Sequence, residues 1–243
     1  AGGAFAGVAG TLGVVLLHDA AEAYIADGAQ ADAGNALSVA AATQDNVSNI
    51  GITGSGAAGV AASGSIAVNA VSSETDAYIG NADINRHSVR NANQSVAVTA
   101  DSSSNIVTVA GSGGVAGAAS IGGVLNINAL TKHTSAYIGS GADVAAGKEV
   151  EVRARSTENI VGAGVSIRGA GLGAASAVIS ANVADNTTEA YIDGAVVDAD
   201  GNVKLSAVDD TLLVAVSAVG NGAGGTGVGQ NAGANVVTNH TRA

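Results

Sequence analysis

Polar and apolar positions alternate most plainly in Glu149-Val150-Glu151-Val152-Arg153-Ala154-Arg155. A period of two is the mark of a strand with one buried and one wet face. The same alternation marks Leu37 to Ala41, Ser95 to Ala100 and Val203 to Ala207. A firmer apolar run, Val124-Leu125-Asn126-Ile127-Asn128-Ala129-Leu130, predicts a second kind of strand. Gly, Asn, Asp and Ser punctuate these runs, which is turn chemistry. No window carries apolar residues at helical spacing over a useful length. The pattern predicts an all-β chain.

The strands recur in a frame. Ala-Tyr-Ile occurs four times, with its tyrosines at Tyr24, Tyr78, Tyr137 and Tyr191, which are all the tyrosines present. Their spacings are 54, 59 and 54 residues. Asn69, Asn128 and Asn182 stand nine residues before a tyrosine, and Thr75, Thr134 and Thr188 stand three before. Asn235 and Thr241 keep the same frame at the C-terminal end. A second column reads Asn49-Ile50, Asn105-Ile106 and Asn159-Ile160, with Thr211-Leu212 in the fourth copy. Repetition of this kind predicts a solenoid. Each half-repeat is about the length of one coil, so the expectation is a parallel β-helix (β-solenoid) with two coils per repeat. The repeats start near 23, 77, 136 and 190, within one continuous body spanning residues 1–243. Stacked asparagines would pass amide hydrogen bonds along the axis. On that basis Tyr78, Tyr137, Asn128 and Asn182 are expected to be buried.

Composition sharpens this. There are 36 glycines, no proline, cysteine, methionine or tryptophan, and only 2% aromatic residues. A globular core of this length would use more large side chains; small residues at high density suit closely stacked backbones. The absence of cysteine excludes disulfides and thiolate metal sites and fits an exported chain. The net charge of −11 excludes electrostatic nucleic-acid binding. The apolar run Val14 to Leu17 is far too short to span a bilayer as a helix. The missing initiator methionine and the break of the repeat phrase at Ala243 suggest an excerpt from a longer repetitive chain. Coils are then expected to continue beyond both ends, or to be covered by another copy.

The Ala-Tyr-Ile phrase, the Gly/Ala/Ser-rich spacers and the Asn-Ile column, in a chain without Cys or Pro, resemble the shafts of large bacterial exported adhesins of the filamentous-haemagglutinin and autotransporter kind. The resemblance spans the whole chain and rests on repeat style and composition. It implies a right-handed parallel β-helix, non-catalytic, at the cell surface or outside the cell.

Candidate chemistry is sparse. Asp198, Asp200 and Asn202 have the spacing that opens a calcium loop, but the distal bidentate Glu is missing. The competing reading is an Asp-Gly turn between Val197 and Val203. His133 and His240 share one column with Thr187 between them, so they cannot share a metal. Glycine runs such as Gly162 to Ile167 precede no helix and make no phosphate loop. Sequons occur at Asn46, Asn93, Asn186 and Asn239. The expected function is a shaft that holds a distal binding region away from the cell, with a host or cell-surface ligand as partner. The alternative is a filament subunit stacking end to end. A β-helical polysaccharide-active enzyme comes third, because basic and aromatic residues are scarce. No cofactor is expected beyond the calcium candidate.

Overall fold

A computed structural model describes residues 2–3 and 5–243; Ala1 and Ala4 lie outside the described residues. Fourteen strands follow one another: β1 (Gly2–Gly3), β2 (Ala6–Ile25), β3 (Gln30–Ala31), β4 (Ala36–Ala57), β5 (Val60–Ile79), β6 (Asp83–Ile84), β7 (Ser95–Ala116), β8 (Ala119–Ile138), β9 (Asp143–Ala146), β10 (Val150–Ala170), β11 (Gly173–Ile192), β12 (Val196–Ala199), β13 (Val203–Ala223) and β14 (Thr226–Arg242). They form three sheets. Sheet A runs β1-β4-β7-β10-β13, sheet B runs β14-β11-β8-β5-β2, and the short sheet C runs β12-β9-β6-β3. Every pairing is parallel. The chain therefore winds as a parallel β-solenoid. Each coil passes along sheet B, turns a corner through sheet C, returns along sheet A and reverses in a tight turn.

One repeat is one coil, not two. Tyr24 lies beside Tyr78, Tyr78 beside Tyr137, and Tyr137 beside Tyr191, each on the adjacent strand. The expected half-repeat coils are single strands of 20 to 22 residues. The Gly/Ala/Ser run at 111–117 is the end of a long strand and its reversal. Its polarity is inverted: Ser112 faces in, while Val115 faces out. Along the two long sheets, equivalent positions keep constant spacing. The variation is confined to the sheet C corner, where the connection 85–94 is longer than its counterparts and widens one tyrosine spacing to 59.

The interior between sheets A and B is banded. At the sheet C corner Ile79, Ile84, Ile138, Val144, Val96 and Val150 form the largest apolar cluster. Each such side chain contributes about 1.5–3 kcal/mol on burial. Next comes a polar band, in which Thr43 bonds Thr75 at 2.6 Å and Ser102 at 2.9 Å. In the same band the Lys132 ammonium lies 2.8 Å from the Glu158 carboxylate, both side chains having no exposed surface. A second apolar cluster follows, with Val71, Ile106, Leu130 and Ile160. Then come the asparagines, and beyond them a small cluster of Ala67, Ala110, Val124 and Val178.

Nearest the tight turn the interior is polar again. The buried Arg168 donates to the Ser63 hydroxyl, to the Ser63 carbonyl at 2.7 Å and to the Ser112 hydroxyl at 2.6 Å. Desolvation pushes its pKa down. The guanidinium fills space that side chains at Gly114 and Gly122 would take. At the reversal itself, a Cβ on Gly117 or Gly171 would run into a carbonyl of the preceding coil, so glycine there permits the close coil spacing.

Candidate functional site

The asparagine column is a continuous ladder through the interior. Asn69 donates to Asn128 at 2.6 Å, Asn128 to Asn182 at 2.8 Å, and Asn182 to Asn235 at 2.9 Å. Adjacent strands lie ~4.8 Å apart, close enough for an amide to reach its neighbour directly. Thr108, from the facing sheet, also donates to the Asn128 oxygen at 2.6 Å. Asn69, Asn128 and Asn182 are fully buried.

The ladder has a member from the other sheet. Asn49, on β4, donates to Asn69 at 2.9 Å. It reaches across the interior to the place where the first coil has Val15 instead of asparagine. Asn49 therefore does not share a column with Asn105 and Asn159. Its strand partner is Thr108, while Asn105 pairs with Asn46 and with Asn159. An offset of three residues turns a side chain to the opposite face of the sheet. Asn49 consequently faces in, and Asn105 and Asn159 face out, bonded to each other at 3.1 Å. In the fourth copy the true partner of Asn159 is Leu212; Thr211 faces in and donates to Glu158 at 2.9 Å.

The tyrosines form a second column, and it is on the outside. Tyr78, Tyr137 and Tyr191 are half-buried and Tyr24 is exposed, and the column faces outward and not inward. The alternation places Ala77 and Ile79 inward and therefore the intervening tyrosine outward. The rings stack at centroid distances of 5.2, 4.8 and 4.9 Å and are parallel within 7°. Neighbouring ring faces cover one another, while Tyr24, at the end of the row, is 54% exposed.

Tyr78 donates its hydroxyl to Glu22 at 2.8 Å, which pushes its pKa up to about 12. Desolvation raises Tyr137 and Tyr191 as well. A raised folded-state pKa holds the neutral phenol. The associated stability is present below the ordinary value near 10 and is lost as pH rises toward about 12. In an alkaline titration the phenolate absorbance of these tyrosines should rise late, together with loss of the β-sheet circular dichroism. Full ionisation near pH ~10 with the sheets intact would contradict the stacked column.

The calcium candidate is occupied by the protein's own cation. Arg90, in the long connection between β6 and β7, contacts Asp198 at 2.6 Å and Asp200 at 2.8 Å. Its hydrogen bond holds the Asp198 carboxyl below the usual range and raises the Arg90 pKa. Asn202 contributes its backbone carbonyl to Val150 at 3.0 Å. Asp198 lies in β12, which ends at Ala199, and 200–202 form the turn into β13. Among the described residues no three His, Cys, Asp or Glu side chains converge as a metal site would require.

The Arg90 connection is itself pinned. Asn85 adopts a left-handed φ of 58°, a region that asparagine tolerates. Its side chain accepts from Ala33 N–H at 2.7 Å and donates to the Ala145 carbonyl at 3.0 Å, tying the coils on either side. Nothing in the sequence pattern singles out this clamp, because its partners are far apart in the chain. Of the sequons, Asn186 is turned inward and buried, donating to Thr211 at 3.1 Å.

On the outer face of sheet A, Asp101 pairs with Arg153 at 2.9 Å, and Arg155 lies 3.9 Å from Asp210. These are solvent-exposed pairs with little energetic weight. No family profile, curated protein or solved structure matches the chain. No helix among the described residues is long and apolar enough to cross a membrane.

Proposed function

We propose that this solenoid is a non-catalytic structural shaft of an extracellular or cell-surface adhesin-type exoprotein. The observation that carries the reading is the uninterrupted register of the long sheets, in which the tyrosine column and the asparagine ladder both run through successive coils. A register slip would unstack every ring and break every amide link at once. Such a body resists shear between coils and transmits its length rigidly, which is what a spacer must do. Its partners in this reading are further coils of the same chain or another copy at the coil edges, and a host or cell-surface ligand bound elsewhere. The acidic surface argues against nucleic acid.

Electron microscopy of the native material, with antibody labelling of intact cells, tests this. Rods projecting from the cell surface, growing by ~4.8 Å per coil, are the expected result. Long fibres with a regular subunit repeat would favour the end-to-end filament subunit instead. Labelling confined to the cell interior would overturn both.

A further inference from the structure

The outer face of sheet B beside the tight turn is uncharged on every strand and apolar on all but β14. On β8 the outward residues there are Ala119, Ile121, Gly123, Leu125, Ile127 and Ala129. Across the equivalent outward positions of the other four strands the only polar residues are Thr226 and Gln230, both on β14. Leu12 is 72% exposed and Ile121 57%. For a chain of net charge −11, a face with no charge at all is a marked departure.

The face has relief. Leu12, Ile66, Leu125 and Ile179 are strand neighbours and make a ridge parallel to the solenoid axis. Beside it Gly10, Gly64, Gly123 and Ala177 make a trench. Most of the trench does not require glycine: a Cβ on Gly10 or Gly64 would approach nothing closer than 3.7 or 3.5 Å and Ala177 already carries one, whereas on Gly123 it would lie 3.1 Å from the Ala177 carbonyl oxygen. Glycine weakens a strand relative to alanine, so what these glycines provide is room on the outer surface.

We propose that this face binds the same face of a second copy of the chain, making a two-fold lateral dimer. A two-fold axis parallel to the solenoid axis and midway between ridge and trench would seat the ridge of each copy in the trench of the other. That is the self-complementarity an isologous interface needs. On β8 the operation brings Gly123 opposite Leu125, Ile121 opposite Ile127 and Ala119 opposite Ala129. On β8 bulky residues meet bulky ones only in the flanking column and small meet small at the rim, while on β2 and β11 the rim sets Ala6 opposite Leu16 and Gly173 opposite Val183. On β5 it brings Gly64 opposite Ile66.

The overlap ends where the polarity changes. The next outward column, His18, Ser72, Thr131 and Asp185, would fall beyond the partner's tight turn. Charged halves of the two acidic copies thus point away from each other, avoiding a like-charge cost. Eleven residues at ~3.3 Å and five strands at ~4.8 Å give a footprint of ~870 Å² per copy. That is about the area per partner of a standard stable interface. The outer face of sheet A lacks this relief: Ile52 sits beside Gly111 and Ile167 beside Gly113, so bulk and space do not line up in columns.

Sedimentation of the chain over a range of concentrations tests the proposal. The wild type should reach a dimer and stop there. Gly64→Leu fills the trench in open space, and Ile66→Glu charges the ridge; each should weaken dimerisation about tenfold or more. Val109→Glu, outward on sheet A, should leave it unchanged. Circular dichroism checks the fold, and either sheet B variant suffices if the other misfolds. A monomeric wild type, folded sheet B variants that associate as the wild type does, an open-ended ladder of oligomers, or a monomer that floats with phosphatidylcholine vesicles would each overturn it.

Discussion

Lys132→Met should destabilise the protein by about 3–5 kcal/mol, the usual cost of stripping one partner from a buried ion pair. Lys132 enters the interior from β8 and Glu158 from β10, and their charged atoms meet at 2.8 Å with both side chains inaccessible to solvent. Without the ammonium, the carboxylate keeps only the hydroxyls of Ser156 and Thr211. Two hydroxyl bonds do not offset the cost of an unneutralised charge between two sheets. Glu158→Leu should be similarly costly, because it leaves the ammonium unbalanced. The pair, however, is flanked by an apolar cluster containing Val71, Ile106, Leu130 and Ile160. The double variant Lys132→Met, Glu158→Leu should therefore recover most of the loss, ending within ~1 kcal/mol of the wild type or above it. Chemical denaturation of the four proteins closes the thermodynamic cycle. Single variants costing under ~1 kcal/mol, or a double variant as unstable as the sum of the singles, would contradict a desolvated pair.

How this interior arises explains what could be read from the chain. Near the sheet C corner the rule is ordinary: Val150, Val152 and Ala154 point in, Glu151, Arg153 and Arg155 point out, and the alternation is visible by eye. The all-β class and the parallel stacking of repeats follow from it and from the Ala-Tyr-Ile frame. Toward the tight turn the rule reverses. Ser112, Ser166, Ser180 and Arg168 are buried while Ile52, Val115, Ile121 and Ile167 are exposed. An apolar outside and a polar inside still alternate with period two, but a reader expecting apolar residues in the core sees a spacer. With that inversion half of each coil carries the pattern of a separate coil, and the expected coil count is twice the observed one.

Column membership fails for a related reason. The Asn-Ile dipeptide fixes Asn105 and Asn159 correctly, but it misplaces Asn49 by three residues and Thr211-Leu212 by one. Odd errors change the face, and only the hydrogen-bond register reveals them. The Arg90 clamp and the Lys132–Glu158 pair join residues on different coils or facing sheets, so no local pattern announces them.

The ladder gives the other large effect. Asn128→Leu should cost about 3–5 kcal/mol. Asn128 is the hub: its oxygen accepts from Asn69 and Thr108, and its amide donates to Asn182. Leucine of similar size would fit the volume but leave these buried partners short of a bond, at ~1–3 kcal/mol for each group left unsatisfied. Asn69 and Thr108 retain their bond to each other, which limits the loss below the full sum. The substitution also cuts the chain of amides between the coils of β5 and β11. Hydrogen exchange should therefore quicken on both neighbouring coils, not only on β8. Asn105→Leu is the matched comparison, since Asn105 faces solvent in the adjoining sheet and should cost under ~0.5 kcal/mol. Thermal or denaturant unfolding that ranks the two substitutions equally would mean that the ladder carries no special stability. Asn128→Asp separates bonding from packing. It keeps the shape and both acceptor contacts but removes the donor to Asn182, so it should be destabilising at neutral pH and recover in part as acid protonates the carboxyl.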